Sequence, residues 1–220
     1  MSKLTLDEKK LDKLAFLTVK VGLNLQKNQD LLITAPIESL PLVRKIVDYS
    51  YKNGAGLVTT FFSDDELTLS RYNYAHDYSF DKSPSWLYEG IGNAFDKNTA
   101  RLAVVGDDPL LLSKQDPKKV SRLNKANSIA YKPAREKITN FFINWSIVSW
   151  PGSKWSKRVF PNLKELDAQS QLAEAIFSAS RINDEDPVSS WEKHNENLKE
   201  KYTWLNNQNF EFLHYKGPNT

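Results

Sequence analysis

The sequence predicts an α/β fold, with a doubly wound, mostly parallel sheet flanked by helices and a helix-rich C-terminal third. Two observations lead to this prediction. As far as Trp150, short apolar runs typical of strands alternate with stretches of helical periodicity. After Pro151 the pattern is almost entirely helical. Strands that alternate with helices are joined by crossovers, which make neighbouring strands parallel and place helices on both faces of the sheet.

A first helix is followed by one βαβ crossover unit over residues 30–62. Thr5 and Glu8 have the spacing of a capping box, which predicts a helix that begins there. Residues 31–35 are a continuous apolar run, as expected for a strand covered on both faces. A helix over residues 38–52 and a strand over residues 57–62 complete a unit of the length of one βαβ crossover.

Capping residues predict where the later helices begin. Ser63 has the capping-box spacing to Glu66, and Ser83 stands before a proline as an N-cap would. Asp116 and Asp186 also precede prolines at predicted helix starts. The remaining elements are strands at residues 102–105 and 141–149, helices at residues 117–137, 166–181 and 187–205, and a last strand at residues 210–214.

The chain stops just after the last predicted strand. Residues 210–215 alternate in the way of a strand, and residues 216–220 have the Gly and Pro of a turn that leads onward. Natural domains often end in polar, disordered residues or in a docked helix. We therefore expect the chain to be part of a longer protein, whose chemistry lies in residues beyond Thr220.

Composition narrows the class of protein. The chain is 40% hydrophobic and 26% charged, and its net charge of +3 is too near balance to indicate a nucleic-acid partner. It has no cysteine, which excludes disulfides and thiolate metal sites and fits a reducing cytosol. The first residues lack the apolar stretch of a signal peptide, and no apolar run approaches the roughly 20 residues of a membrane helix. No membrane partner is expected.

Acidic residues follow two of the predicted strands. Asp64 and Asp65 come after the second strand, and Asp107 and Asp108 come after the third. Ligands of open parallel sheets bind beyond the carboxyl ends of the strands, and paired carboxylates at this place could hold Mg²⁺. The same residues stand where N-caps and first-turn acids belong. Capping is the favoured interpretation, and a carboxylate-metal hydrolase is one alternative.

Other functional patterns are absent or weak in the sequence. There is no Walker loop, no dinucleotide fingerprint and no Gly-x-Ser-x-Gly elbow. His76, His194 and His214 are far apart and lack a metal-binding spacing, so each is expected to be structural or to face solvent. Basic residues are concentrated in the helix at residues 117–137, which predicts a solvated face rather than a nucleic-acid site.

The most unusual segment is residues 145–161, which hold three Trp, two Pro and a basic run after a strand. An aromatic loop bounded by prolines suits a surface that faces another domain or a substrate. The opposing interpretation is that the Trp side chains fill the edge of the core. The candidate surface residues are Trp150, Trp155, Lys157, Arg158 and Phe160.

A series of short motifs is specific through its order and spacing. The motifs are residues 21–26, 31–36, 55–56, 106–109, 145–148, Pro151, residues 155–157, 159–161, 186–188, Trp191 with His194, and residues 213–218. Together they resemble the thermophilic metallo-aminopeptidases of peptidase family M29, and the resemblance covers almost the whole chain. Asn219 departs from the usual Gly of the family's turn, a conservative change because Asn also tolerates positive φ.

The resemblance implies a cytoplasmic exopeptidase, longer than this chain, that removes N-terminal residues from peptides and forms a homodimer. It implies two divalent metal ions, zinc, cobalt or manganese, held by Glu, His and Asp residues of a C-terminal domain. Such ions polarise the scissile carbonyl and generate hydroxide from bound water. None of the family's catalytic residues, metal ligands or cofactor-binding residues falls on a position of this chain.

We therefore expect residues 1–220 to be the N-terminal α/β domain of a metal-dependent aminopeptidase. The domain alone is predicted to be inactive and to serve as a scaffold or as a wall of the substrate cavity, with the C-terminal domain as its partner. The alternative is a complete α/β domain that binds a small ligand or a partner through residues 145–161, without catalysis. An apolar patch is expected near that segment and the last strand, where the other half would dock.

Overall fold

The central sheet has four strands, and all of its neighbouring pairs are parallel. The computed structural model describes residues 4–218, so residues 219 and 220 of the predicted turn lie outside it. The strands are β1 (Leu31–Pro36), β2 (Val58–Ser63), β3 (Ala100–Val105) and β4 (Trp145–Ser149). Their order in the sheet is β2-β1-β3-β4, so β1 and β3 are central and β2 and β4 are edges. The predicted α/β class is confirmed.

Helices cover both faces of this sheet. They are α1 (Glu8–Leu17), α2 (Leu40–Lys52), α3 (Asp65–Tyr74), α4 (Ser85–Asp96), α5 (Pro117–Thr139), α6 (Ser153–Val159), α7 (Glu165–Ala179) and α8 (Pro187–Asn207). Short π-helical and 3₁₀ turns are at Thr18–Gly22, Ile37–Ser39 and Asp77–Asp81. Within residues 4–218, no helix combines the length and the apolar character needed to span a bilayer.

Strand β1 is buried from both sides, as its continuous apolar run predicts. Leu31 and Ile33 pack into the larger core, which α1, α2 and α7 cover, together with Leu102 of β3. Leu32 points to the other face, where it packs in a smaller core with Ile91 and Phe95 of α4 and Ala134 of α5. Burial of one such aliphatic side chain stabilises the fold by about 1.5–3 kcal/mol. The two cores therefore hold β1 between two layers of helices.

Two of the predicted strands differ in the structure. Strand β4 begins only at Trp145, because Phe141 has a positive φ of 55° and turns the chain before the strand. Residues 210–214 form no strand, since they have no ladder partner within residues 4–218. Their apolar side chains are exposed instead, as expected for the apolar patch predicted at this end. An alternating pattern alone cannot make a strand without a sheet edge beside it.

Aspartates, rather than hydroxyl residues, begin several helices. The predicted cap at Thr5 is wrong, because Asp7 accepts from the backbone amides of α1. The predicted cap at Ser63 is also wrong, since Ser63 ends β2 and Asp64 accepts from Leu67 N at 2.9 Å. Ser83 lies before a helix that has no side-chain cap. The caps predicted at Asp116 and Asp186 are confirmed.

The helix-rich final third is also confirmed, with one addition. The sequence predicts an aromatic loop between the strand and Pro161, but α6 begins inside that segment at Ser153 and is seven residues long. Its short length hides the apolar periodicity that identifies longer helices. The following helices α7 and α8 begin and end within two residues of the positions that the sequence predicts.

Candidate functional site

The acidic residues predicted at the sheet edge do come together. They line one cavity of about 130 Å³ beyond the carboxyl ends of β1, β2 and β3. Because parallel strands end at the same edge, the loops after them converge there. The charged residues that line this acidic cleft are Glu38, Asp64, Asp65, Glu66, Asp107, Asp108 and Lys154.

Two residues of the acidic cleft were missed by the sequence reasoning. Glu38 lies in the 3₁₀ turn after β1, and Lys154 lies in the first turn of α6. The rule that carboxyl ends of parallel strands converge gives a signal for Glu38, since it stands two residues after the end of β1. Lys154 had no such signal, because α6 was predicted as a loop.

Asp65 is the electrostatically strained member of the acidic cleft. Partial burial raises the pKa of Asp65, and the neighbouring charges of Asp107, Asp108, Glu38 and Asp64 raise it further. Burial and like charges both disfavour an ionised carboxylate. The acidic cleft therefore has a negative potential that one cation, Lys154, does not balance.

Most of the other carboxylates in the acidic cleft have structural partners. Asp64 caps α3, and Asp108 accepts from Leu110 N at 3.0 Å. Asp108 also lies 3.6 Å from Nε of Arg158. Glu38 accepts from Ser153, through its backbone N at 2.9 Å and its Oγ at 2.8 Å, and so satisfies the N-terminus of α6. These contacts support the capping interpretation over a catalytic one.

Residues 4–218 do not fit a metal ion. Among them, no group of three His, Asp or Glu side chains could hold one. His194 contacts the Arg181 guanidinium through Nδ1 at 3.2 Å, and His76 stacks on Tyr78. The exposed His214 lies beyond α8, far along the chain from both. Where the implied pair of divalent ions binds stays a prediction.

The five candidate surface residues in the segment 145–161 have different environments. Trp150 is only 4% exposed and belongs to the larger core, so it offers almost no surface to a partner. Trp155 and Phe160 are partly buried against the same core. Lys157 donates to Pro161 O at 2.8 Å. Arg158 is the exposed member of the five, beside the acidic cleft. A contact surface formed by these residues remains a prediction.

Two glycines allow the segment 145–161 to dock on the sheet. A Cβ on Gly106 would lie 2.4 Å from Trp150 O, and a Cβ on Gly152 would lie 1.8 Å from Gly106 O. Real side chains do not tolerate such distances, so the backbone after β3 and the turn before α6 touch directly. This contact places the N-terminus of α6 at the acidic cleft.

The basic face of α5 is partly used inside the molecule. Arg122 binds Asp77 and Asp81, and Lys137 lies 2.5 Å from Asp96. The guanidinium of Arg122 lowers the pKa of Asp81. These ion pairs attach the 3₁₀ turn and α4 to α5.

Fold and site together define a doubly wound α/β domain with an acidic cleft at the carboxyl edge of its sheet. The chain belongs to the thermophilic metalloprotease (M29) family, whose match covers residues 7–220.

Aminopeptidases are among the relatives. Aminopeptidase T of Thermus thermophilus is 47% identical over 97% of this chain and 52% of its own length, and Aminopeptidase 2 of Geobacillus stearothermophilus is 36% identical over 96% and 51%. The solved structure of wild-type AmpT from Thermus thermophilus superposes with a TM-score of 0.90 at 46% identity, covering 96% of this chain and 52% of that one. The chain thus spans about half the length of the curated relatives it matches.

Replacement of Asp65 tests the electrostatics of the acidic cleft. Asp65→Asn is expected to raise the melting temperature at neutral pH, because it removes a charge that burial and like charges disfavour. Because the pKa of Asp65 is higher in the folded state, folding favours its protonated form. This contribution to the free energy of unfolding is fully present below the unfolded-state pKa and is lost as the pH rises through the folded-state pKa. The advantage of the variant should therefore grow with pH.

Calorimetric unfolding across the acid range measures this difference. Glu66→Gln is the matched control, since it removes one charge from the same turn of α3. An Asp65→Asn protein that is no more stable than the parent at neutral pH would contradict the account.

Two Gly→Ala substitutions test the close backbone contact. Gly152→Ala is expected to destabilise the fold by on the order of 1–3 kcal/mol, because its Cβ would collide with backbone. Gly90→Ala, inside α4, should instead stabilise it by about 0.5–1 kcal/mol, since its Cβ meets nothing within 4 Å. Urea unfolding gives both values, and equal effects from the two substitutions would show that the contact is not tight.

Proposed function

We propose that the chain is the N-terminal domain of a metal-dependent aminopeptidase that removes N-terminal residues from peptides. The observation that carries this proposal is the family match over residues 7–220 together with relatives that are named aminopeptidases. These relatives are matched over about half of their length. The domain boundaries proposed for this half are residues 1–220.

The proposed division of labour follows from the residues at hand. The described part of the chain has no group that could hold a metal ion, so the ligands are proposed to lie in the other half of the longer polypeptide. Family membership supports two divalent ions there, with zinc, cobalt and manganese as candidates. A homodimer and a cytoplasmic location are proposed on the same ground.

The domain described here would then act as a scaffold and as one wall of the substrate cavity. The exposed Arg158 and the acidic cleft beside it would be the part of the domain nearest to such a cavity. Both lie at the carboxyl edge of the sheet, where ligands of open parallel sheets bind. A negative wall favours approach of the positively charged α-amino group of a peptide. The role is one of positioning and steering, with no reacting group supplied from residues 4–218.

Peptidase assays test this proposal in two proteins. One is the 220-residue chain, and the other is a chimera that continues it with the part of Aminopeptidase T beyond the matched region. With aminoacyl-nitroanilides and added Zn²⁺, Co²⁺ or Mn²⁺, the chain alone should give no turnover above the buffer. The chimera should give turnover that a chelator abolishes.

Far-UV circular dichroism and cooperative thermal unfolding control for folding in both proteins. Chelator-sensitive turnover by the purified 220-residue chain would refute the proposed division of labour. A folded chimera without peptidase activity would count against the proposed function as a whole.

A further inference from the structure

Helix α8 carries a row of apolar side chains along one face. The residues are separated alternately by three and four positions, which is the spacing of a helix that packs along another helix. The row consists of Val188, Trp191, Leu198, Tyr202 and Leu205, with the polar Asn195 in the middle.

Only the first part of this row is covered in the structure. Val188 and Trp191 pack on the larger core, and the Trp191 indole donates to Ser180 O at 3.0 Å. Further along, Leu198 is 48% exposed, Tyr202 54% and Leu205 40%. No residue of this 21-residue helix is buried. Because helices are stabilised mainly by packing an apolar face, the exposed row needs a contact that residues 4–218 do not supply.

A second copy of the chain suits the exposed row poorly. A parallel pair of α8 helices would bring two domains to the same end, where Val188 and Trp191 already face their own core. An antiparallel pair centred on the exposed part would bring Lys201, which flanks the row, close to its own copy. Like charges at this flanking position oppose pairing.

We propose that Leu198, Tyr202 and Leu205 pack against the second half of the longer polypeptide and form part of the interface between the two halves. This proposal rests on the proposed function in one respect, which is that a second half of the polypeptide follows residue 220. The solved AmpT chain matches 96% of this chain with a TM-score of 0.90, a coverage that includes most of α8, and 48% of that chain lies outside the match. Residues that follow α8 are tethered beside the row, at a high effective concentration.

Hydrogen exchange tests the proposal in the 220-residue chain and in the chimera with the rest of Aminopeptidase T. In the chain alone, amides of residues 198–207 should exchange quickly, while the first turns of α8 are protected by their packing. In the chimera, exchange of residues 198–207 should slow by about tenfold or more, because contact with the second half holds the helix closed.

Two double variants of the chimera separate the row from the rest of α8. Leu198→Asp with Tyr202→Asp should restore fast exchange, since it puts charges into the proposed contact. Asn197→Asp with Thr203→Asp adds the same charge on faces of the helix outside the row and should keep the protection. Equal loss of protection in both variants would contradict the assignment.

Several results would overturn the proposal. One is an active chimera in which residues 198–207 exchange as fast as in the chain alone. Another is protection in the chain alone that rises with protein concentration, which would mean that a second copy covers the row. If the chimera does not fold, the helix of whole Aminopeptidase T that matches α8 is measured, and fast exchange there overturns it equally. If α8 is protected from exchange in a chimera without peptidase activity, the result supports the proposed interface and counts only against the proposed function.

Discussion

Burial of the central strand β1 on both faces is the constraint on which the rest of this domain depends. Strand β1 is covered on both faces only if helices lie on both sides of the sheet, and this requires crossover connections and parallel strands. All carboxyl ends then meet at one edge, where the loops bring the acidic residues together. The acidic cleft is thus a consequence of the topology, and its carboxylates are stabilised mainly as caps and turn acceptors.

Features that depend on local physics could be predicted from the sequence. The run at Leu31 is apolar at consecutive positions because both faces of β1 are buried, so periodicity identified it. Asp116 and Asp186 each stand before a proline, which fixes the backbone at the first helical position, and both cap their helices. The convergence of Asp65 and Asp107 followed from the parallel order of the strands.

Features that depend on distant contacts could not be predicted. The segment after Phe210 alternates like a strand, but only the presence of a sheet edge decides whether it pairs. The burial of Trp150 was left open by the sequence, because an aromatic side chain suits a core edge and a surface equally. The contact between Gly106 and Gly152 joins two loops that are distant in sequence, and composition gives no signal for it.

The central claim of the proposed function is that this domain would position a peptidase site without supplying its metal ligands. Isothermal titration calorimetry of the 220-residue chain with Zn²⁺, Co²⁺ and Mn²⁺ tests it most directly. The account predicts no stoichiometric binding, because residues 4–218 contain no group of side chains that could hold a metal ion. Stoichiometric binding of a divalent ion that is lost when Asp65 and Asp108 are replaced by Asn would contradict it and place a metal centre in the acidic cleft.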